Sequence, residues 1–102
     1  MKSKVLIVGG GGFIGSWLAN ELQRLSYKVA VLDPFVCYPG MEPKLTKKII
    51  TYRNKELLKG VKIIRGHYEK IGKKAIGEFK PDIVVHLAAT PLEKSGDAFI
   101  ND

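Results

Sequence analysis

A chain of 102 residues, 45% hydrophobic and 26% charged, has the size of one folded domain and is too apolar for a disordered segment. One cysteine, Cys37, excludes an internal disulfide and points to a reducing, cytoplasmic setting, and no apolar run nears the roughly 20 residues of a membrane span. The net charge of +7 is concentrated in residues 44–80, where twelve Lys and Arg face three Glu.

Along the chain, Val5–Val8 is a continuous apolar run, as in a strand buried on both faces. It stops after four residues, too short for the core of a signal peptide. Phe13, Ile14, Trp17, Leu18, Leu22 and Leu25 recur at helical spacing up to Ser26. Tyr27–Leu32 reads as a second strand, closed by Asp33 and Pro34. Three prolines and a glycine make residues 34–43 a loop. A helix is expected over Thr46–Lys59 with Gly60 as its stop, then a strand over Val61–Arg65. Lys70–Phe79 follows as a short helix and Ile83–Ala88 as a fourth strand.

Strands alternating with helices imply a parallel sheet with right-handed crossovers, whose ligand lies beyond the carboxyl ends of the strands. Four segments fall there: Gly9–Gly12, Asp33, Gly66–Tyr68 and Ala88–Thr90. The basic stretch intersperses its charges with Ile49, Leu57, Leu58, Ile71 and Ile76, as a solvated amphipathic surface does. It lacks aromatic residues spaced for base stacking, so nucleic acid is not the expected partner. Attraction of a small anionic ligand is the other reading of that charge.

Gly10-x-Gly12-x-x-Gly15 fits the dinucleotide-binding pattern, and so does Gly9-x-x-Gly12-x-x-Gly15. The first glycine allows a sharp exit from the strand. Gly12 lets a pyrophosphate approach the backbone, and Gly15 lets the helix pack on the sheet. The N–H groups around Phe13 and Ile14 begin the helix without partners and can receive the phosphates. Asp33 lies 18 residues past Gly15, where the pattern wants an acid for the ribose hydroxyls. Its charge favours NAD and repels the 2′-phosphate of NADP.

With VGGGGFIGSWLANEL, Asp33 and VVHLAA at 84–89, the sequence resembles the extended short-chain dehydrogenase/reductases, the NAD-dependent nucleotide-sugar epimerases and dehydratases. The resemblance implies a Rossmann-type doubly wound α/β sheet in the order 3-2-1-4, covering the N-terminal part of such an enzyme. By that resemblance Gly9, Gly12, Phe13, Ile14 and Gly15 hold the pyrophosphate and Asp33 the adenosine ribose, with Gly10 of the same turn counted among the cofactor-binding residues. Leu87, Ala88 and Ala89 would line the cofactor beside the fourth strand. Val8 stands where the family has Thr or Ser, and Pro34 where it commonly has Asn. His67 replaces an Asp that reaches the adenine, so a lost contact and weaker nucleotide binding are expected.

Family chemistry uses a Tyr-x-x-x-Lys pair. The positions four beyond Tyr27, Tyr38, Tyr52 and Tyr68 hold Val31, Glu42, Glu56 and Gly72, so no residue here is expected to be catalytic. His86 reads as a structural imidazole in a buried strand. His67, Glu93, Lys94 and Ser95 sit where substrate could be touched. A helix starting at Asp97–Asn101 would lead to a fifth strand, which makes residues 1–102 a cofactor-binding domain truncated at its C-terminal end. The expected substrate of the parent is a nucleotide-linked sugar, and the fourth strand, an edge, is expected to drive formation of a homo-oligomer. A non-catalytic NAD(H) sensor and an FAD-binding oxidoreductase are the rival readings.

Overall fold

Every residue of Val5–Val8 is buried, because the strand they form lies inside the sheet with helices on both faces. In the computed structural model, which describes residues 3–36 and 40–88, that strand is β1 (Lys4–Val8). It is followed by α1 (Phe13–Arg24), β2 (Lys28–Asp33), α2 (Pro43–Tyr52), β3 (Lys62–Arg65), α3 (Tyr68–Phe79) and β4 (Ile83–His86). A π-helical turn, Arg53–Leu57, continues α2. The strands are parallel, as the alternation of elements implies, and lie in the order β3-β2-β1-β4 that the resemblance implies.

Alternation along each strand divides the core in two. Val5, Ile7, Val29 and Val31 meet Ala19 of α1 and Leu58 on one face of the sheet. Leu6, Val8, Ala30 and Leu32 meet Ala75 and Phe79 of α3 on the other. Ile7 is fully buried among these groups, so Ile7→Ala should cost about 2–5 kcal/mol of stability. Urea denaturation measures this, and a cost well under 1 kcal/mol would mean that the core is looser than its burial implies.

Helix α1 packs differently from its apolar stripe. Gly15, Ser16 and Ala19 are its buried residues, whereas Phe13 is 69% exposed and Trp17 50% exposed. The cause is close approach: a Cβ on Gly15 would lie 2.6 Å from Gly10 Cα and from Gly9 O. Only the small-residue face can sit that near the sheet. Helix α2 starts three residues before the expected Thr46, because the Glu42 carboxylate caps it at Leu45 N–H and Pro43 occupies its first turn.

β4 ends at His86, with Leu87 N–H adding one more bond to Val8 O at 2.7 Å. The reading of His86 as part of a buried strand is corrected. Among the described residues β4 lies at the edge of the sheet, His86 is exposed, and its ring meets Tyr68 edge-on at 4.8 Å. Lys4 ties the α3–β4 connection to β1, donating from its backbone to Asp82 Oδ2 at 2.8 Å and from Nζ to Phe79 O at 2.9 Å.

Candidate functional site

The carboxyl ends of β1, β2 and β4 converge on the glycine turn. Gly9 has φ +87, and a Cβ there would lie 2.6 Å from Ala88 N, so the strand exit needs both its freedom and its lack of side chain. Gly10 presses on Val31 of β2, where an added Cβ would come within 2.5 Å of the valine methyl. Gly12 differs from both. Among the described residues its added Cβ meets only Gly9 O, at 3.4 Å, and its backbone is one that any residue adopts (φ −77). Protein packing therefore does not demand a glycine at position 12.

Gly12 is also the N-cap of α1, and no side chain caps that end or places an acid in its first turn. Ser16 N–H is the first amide to bond back, to Gly12 O at 3.0 Å. The donors ahead of it face outward beside the exposed Phe13 and Ile14, at the positive end of a twelve-residue helix.

Asp33 stands at the end of β2, half-buried. Its Oδ2 accepts from Gly11 N at 3.0 Å and its Oδ1 from Phe35 N at 2.7 Å. The carboxylate is thus fixed against the turn, with lone pairs left for further donors. Phe35 holds φ +54, uncommon for a bulky residue, and its ring fills the space a Cβ on Gly11 would need. The Arg65 guanidinium lies 4.8 Å from that ring's centre, and Arg53 Nη1 donates to Gly11 O at 3.1 Å.

Behind this cluster opens a cavity of about 340 Å³ lined by Phe35, Pro43, Thr46, Lys47, Ile50, Thr51, Asn54 and Arg65. Asn54 Oδ1 is buried there with no donor to meet it. Gly11, Phe35, Arg53 and Asn54 escaped the motif, which leaves Gly11 unassigned between two named glycines. The only sequence signal for them was that fourth glycine.

Gly9, Gly10, Gly12, Gly15 and Asp33 thus come together, with Leu87 and Ala88 beside Gly9. Ala89, Glu93, Lys94, Ser95 and Cys37 lie outside the described residues. His67 caps α3 without a side-chain bond and is exposed. Among the described residues, no helix is long and apolar enough to cross a membrane, and no three His, Cys, Asp or Glu group as a metal site requires.

The chain is similar to UDP-N-acetyl-alpha-D-glucosaminuronate decarboxylase of Bacillus cytotoxicus, 35% identical over 93% of this chain and 28% of that protein. Among solved structures it resembles UDP-glucose 4-epimerase of Thermus thermophilus in complex with NAD. There the identity is 31% and the TM-score 0.57, over 85% of this chain and 24% of the other. The Bordetella bronchiseptica enzyme WbmG in complex with NAD and UDP gives a TM-score of 0.63 at 26% identity, covering 90% of this chain and 26% of that one. The chain therefore spans about a quarter of the length of these relatives. The model of the NAD dependent epimerase/dehydratase family matches residues 5–98, and the chain belongs to that family.

Proposed function

We propose that residues 1–102 are the NAD-binding part of a nucleotide-sugar epimerase or dehydratase. The observation that carries this reading is Gly12, the one glycine of the turn whose missing side chain leaves space that no described residue fills. That space adjoins the uncapped start of α1 and the turn that Asp33 grips. A pyrophosphate fits such a place, held by the backbone N–H groups of Phe13, Ile14 and Gly15, while the Gly12 N–H donates to Gly9 O within the turn. Gly9 and Gly10 shape the turn. Asp33 then accepts the adenosine ribose hydroxyls, and Leu87, Ala88 and Ala89 form the wall beside β4.

NAD, when bound, takes up a hydride and can return it. This chain's contribution is to bind and orient: β1, β2 and β4 fix the turn, and α1 presents its positive end. The relatives' names include a decarboxylase, an epimerase and a dehydratase, each acting on a nucleotide-linked sugar, which supports that substrate class. A cytoplasmic location and self-association through β4 go with this reading.

NAD at 100 times its dissociation constant should stabilise the folded chain by about 2.7 kcal/mol, and NADP at the same concentration should stabilise it less. Thermal shifts with each cofactor check this, and a larger shift with NADP would overturn the role given to Asp33. No tyrosine here has a lysine four positions on, so the chain alone should turn over none of a panel of UDP- and dTDP-sugars with NAD. Measurable turnover would require a catalytic group elsewhere in these residues.

A further inference from the structure

Helix α2 carries apolar side chains on its outward side as well as its inward one. Thr46 is buried, Ile49 and Ile50 are half-buried, and Leu57 is buried at the end of the π-helical turn. These residues face the protein. Leu45 and Tyr52 stand on the other side, each more than half exposed and about two turns apart along one line of the helix. Met41, next to the Glu42 cap, is exposed at the same end as Leu45. Lysines run beside that line: Lys44, Lys48 and Lys55 are exposed at the spacing of a single helix face. Residues 41–59 hold six Lys and Arg against two Glu, and Glu42 is engaged in capping Leu45 N–H.

The two rows together select a partner. A nucleic-acid backbone would meet the lysines but give Leu45 nothing apolar to enter. The row also offers lysine point charges and not the guanidinium forks that suit single phosphates, because Arg53 turns inward to Gly11 O. A second copy set on the same face about a two-fold axis would bring like charges together. A bilayer surface rich in anionic lipid satisfies both rows. Its negative potential attracts the lysines, whose stems can lie along the acyl boundary while the ammonium groups stay among the headgroups. A tyrosine, apolar in its ring and polar at its tip, suits the same depth.

We infer that the outward face of α2 docks the protein on the surface of an anionic lipid bilayer. Leu45 and Tyr52 enter the headgroup layer, and Lys44, Lys48 and Lys55 lie among the lipid anions. The helix, ten residues long, rests on the membrane and does not cross it. This surface is separate from the glycine turn, and the inference stands independently of the cofactor reading.

The test is cosedimentation of the full chain with vesicles of phosphatidylcholine, alone or mixed with phosphatidylserine, at low and high salt. Wild type should bind the anionic vesicles about tenfold or more tightly than the neutral ones, and added salt should weaken that binding. Lys44→Gln/Lys48→Gln/Lys55→Gln should lose about a hundredfold, at about fivefold per lysine. Leu45→Ser/Tyr52→Ser keeps every charge and should still lose about tenfold. Lys70→Gln/Lys73→Gln/Lys74→Gln removes as much charge from α3, on the other face of the sheet, and should stay within about threefold of wild type. An equal loss in that α3 variant would overturn the inference, because net charge alone would then drive binding. Unchanged binding by Leu45→Ser/Tyr52→Ser would overturn it too, as would failure of wild type to bind anionic vesicles. Tighter retention of a DNA duplex than of anionic vesicles would assign the face to nucleic acid instead. Self-association lost in Leu45→Ser/Tyr52→Ser, measured by light scattering without vesicles, would assign it to a second copy. Circular dichroism of each variant separates lost binding from lost fold.

Discussion

Gly12→Val should abolish NAD binding while leaving the sheet assembled. The valine backbone is comfortable at φ −77, and the nearest atom to its Cβ, Gly9 O, lies at 3.4 Å. Valine is a poorer N-cap than glycine, which costs about 1 kcal/mol and leaves a folded protein. Its methyl groups, however, fill the space left for the pyrophosphate. Gly15→Val should do the reverse. Its Cβ would lie 2.6 Å from two backbone atoms, Gly10 Cα and Gly9 O, which cannot rotate away as a side chain can. Helix α1 would have to lift from the sheet, at a cost of about 1–3 kcal/mol or more. Titration calorimetry beside thermal melting distinguishes the two variants. A Gly12→Val protein with unchanged affinity would overturn the placement of the pyrophosphate at this turn.

Light scattering over a concentration series should show the chain associating with itself, and Val84→Lys should return it to monomer. The two sheet edges differ in protection. β3 carries Lys62 and Arg65 at its ends, charges that discourage pairing with a second sheet. β4 carries neither charge nor proline within Ile83–His86, and Ile83 is 46% and Val84 43% exposed. A second copy laid along β4 would satisfy the unpaired backbone groups and bury those side chains, most simply about a two-fold axis. Val84 already reaches solvent, so lysine there costs the monomer little. A chain that stays monomeric at every concentration would show that the edge is shielded in another way.

How much of this was readable depended on whether a local pattern or a long-range contact decided the outcome. β1 was legible because four apolar residues in succession have no polar face to offer solvent; the parallel pairing followed from the alternation of strands and helices, and the strand order from the family resemblance. The face of α1 was not legible. Of the apolar stripe, Leu18 and Leu22 pack on the core, yet Phe13, Ile14, Trp17 and Leu25 face outward, because Gly15 must lie against Gly10, a steric demand from another element. The start of α2 was hidden by Pro43, which resembles loop composition and in fact opens the helix. In the candidate site, the glycine spacing and Asp33 could be found by counting residues. Arg53 could not, since it reaches Gly11 across 42 positions through a π-helical turn that no periodicity announces.

The central place of β1 also sets an order of assembly as the chain is synthesised. β1 pairs on one side with β2, Val5 opposite Val29, and on the other with β4, Val5 opposite Ile83. These partners lie 29 − 5 = 24 and 83 − 5 = 78 residues away, so closing the second loop costs about 1 kcal/mol more in chain entropy. The β1–α1–β2 unit leaves the ribosome first and can bury Val5, Ile7, Val29 and Val31 against Ala19 before β4 exists. β4 then docks onto a prepared edge, carrying Leu87 and Ala88 to Gly9. Until it arrives, one edge of the hub strand lacks its backbone partner, and the face formed by Leu6 and Val8 waits for Ala75 and Phe79 of α3.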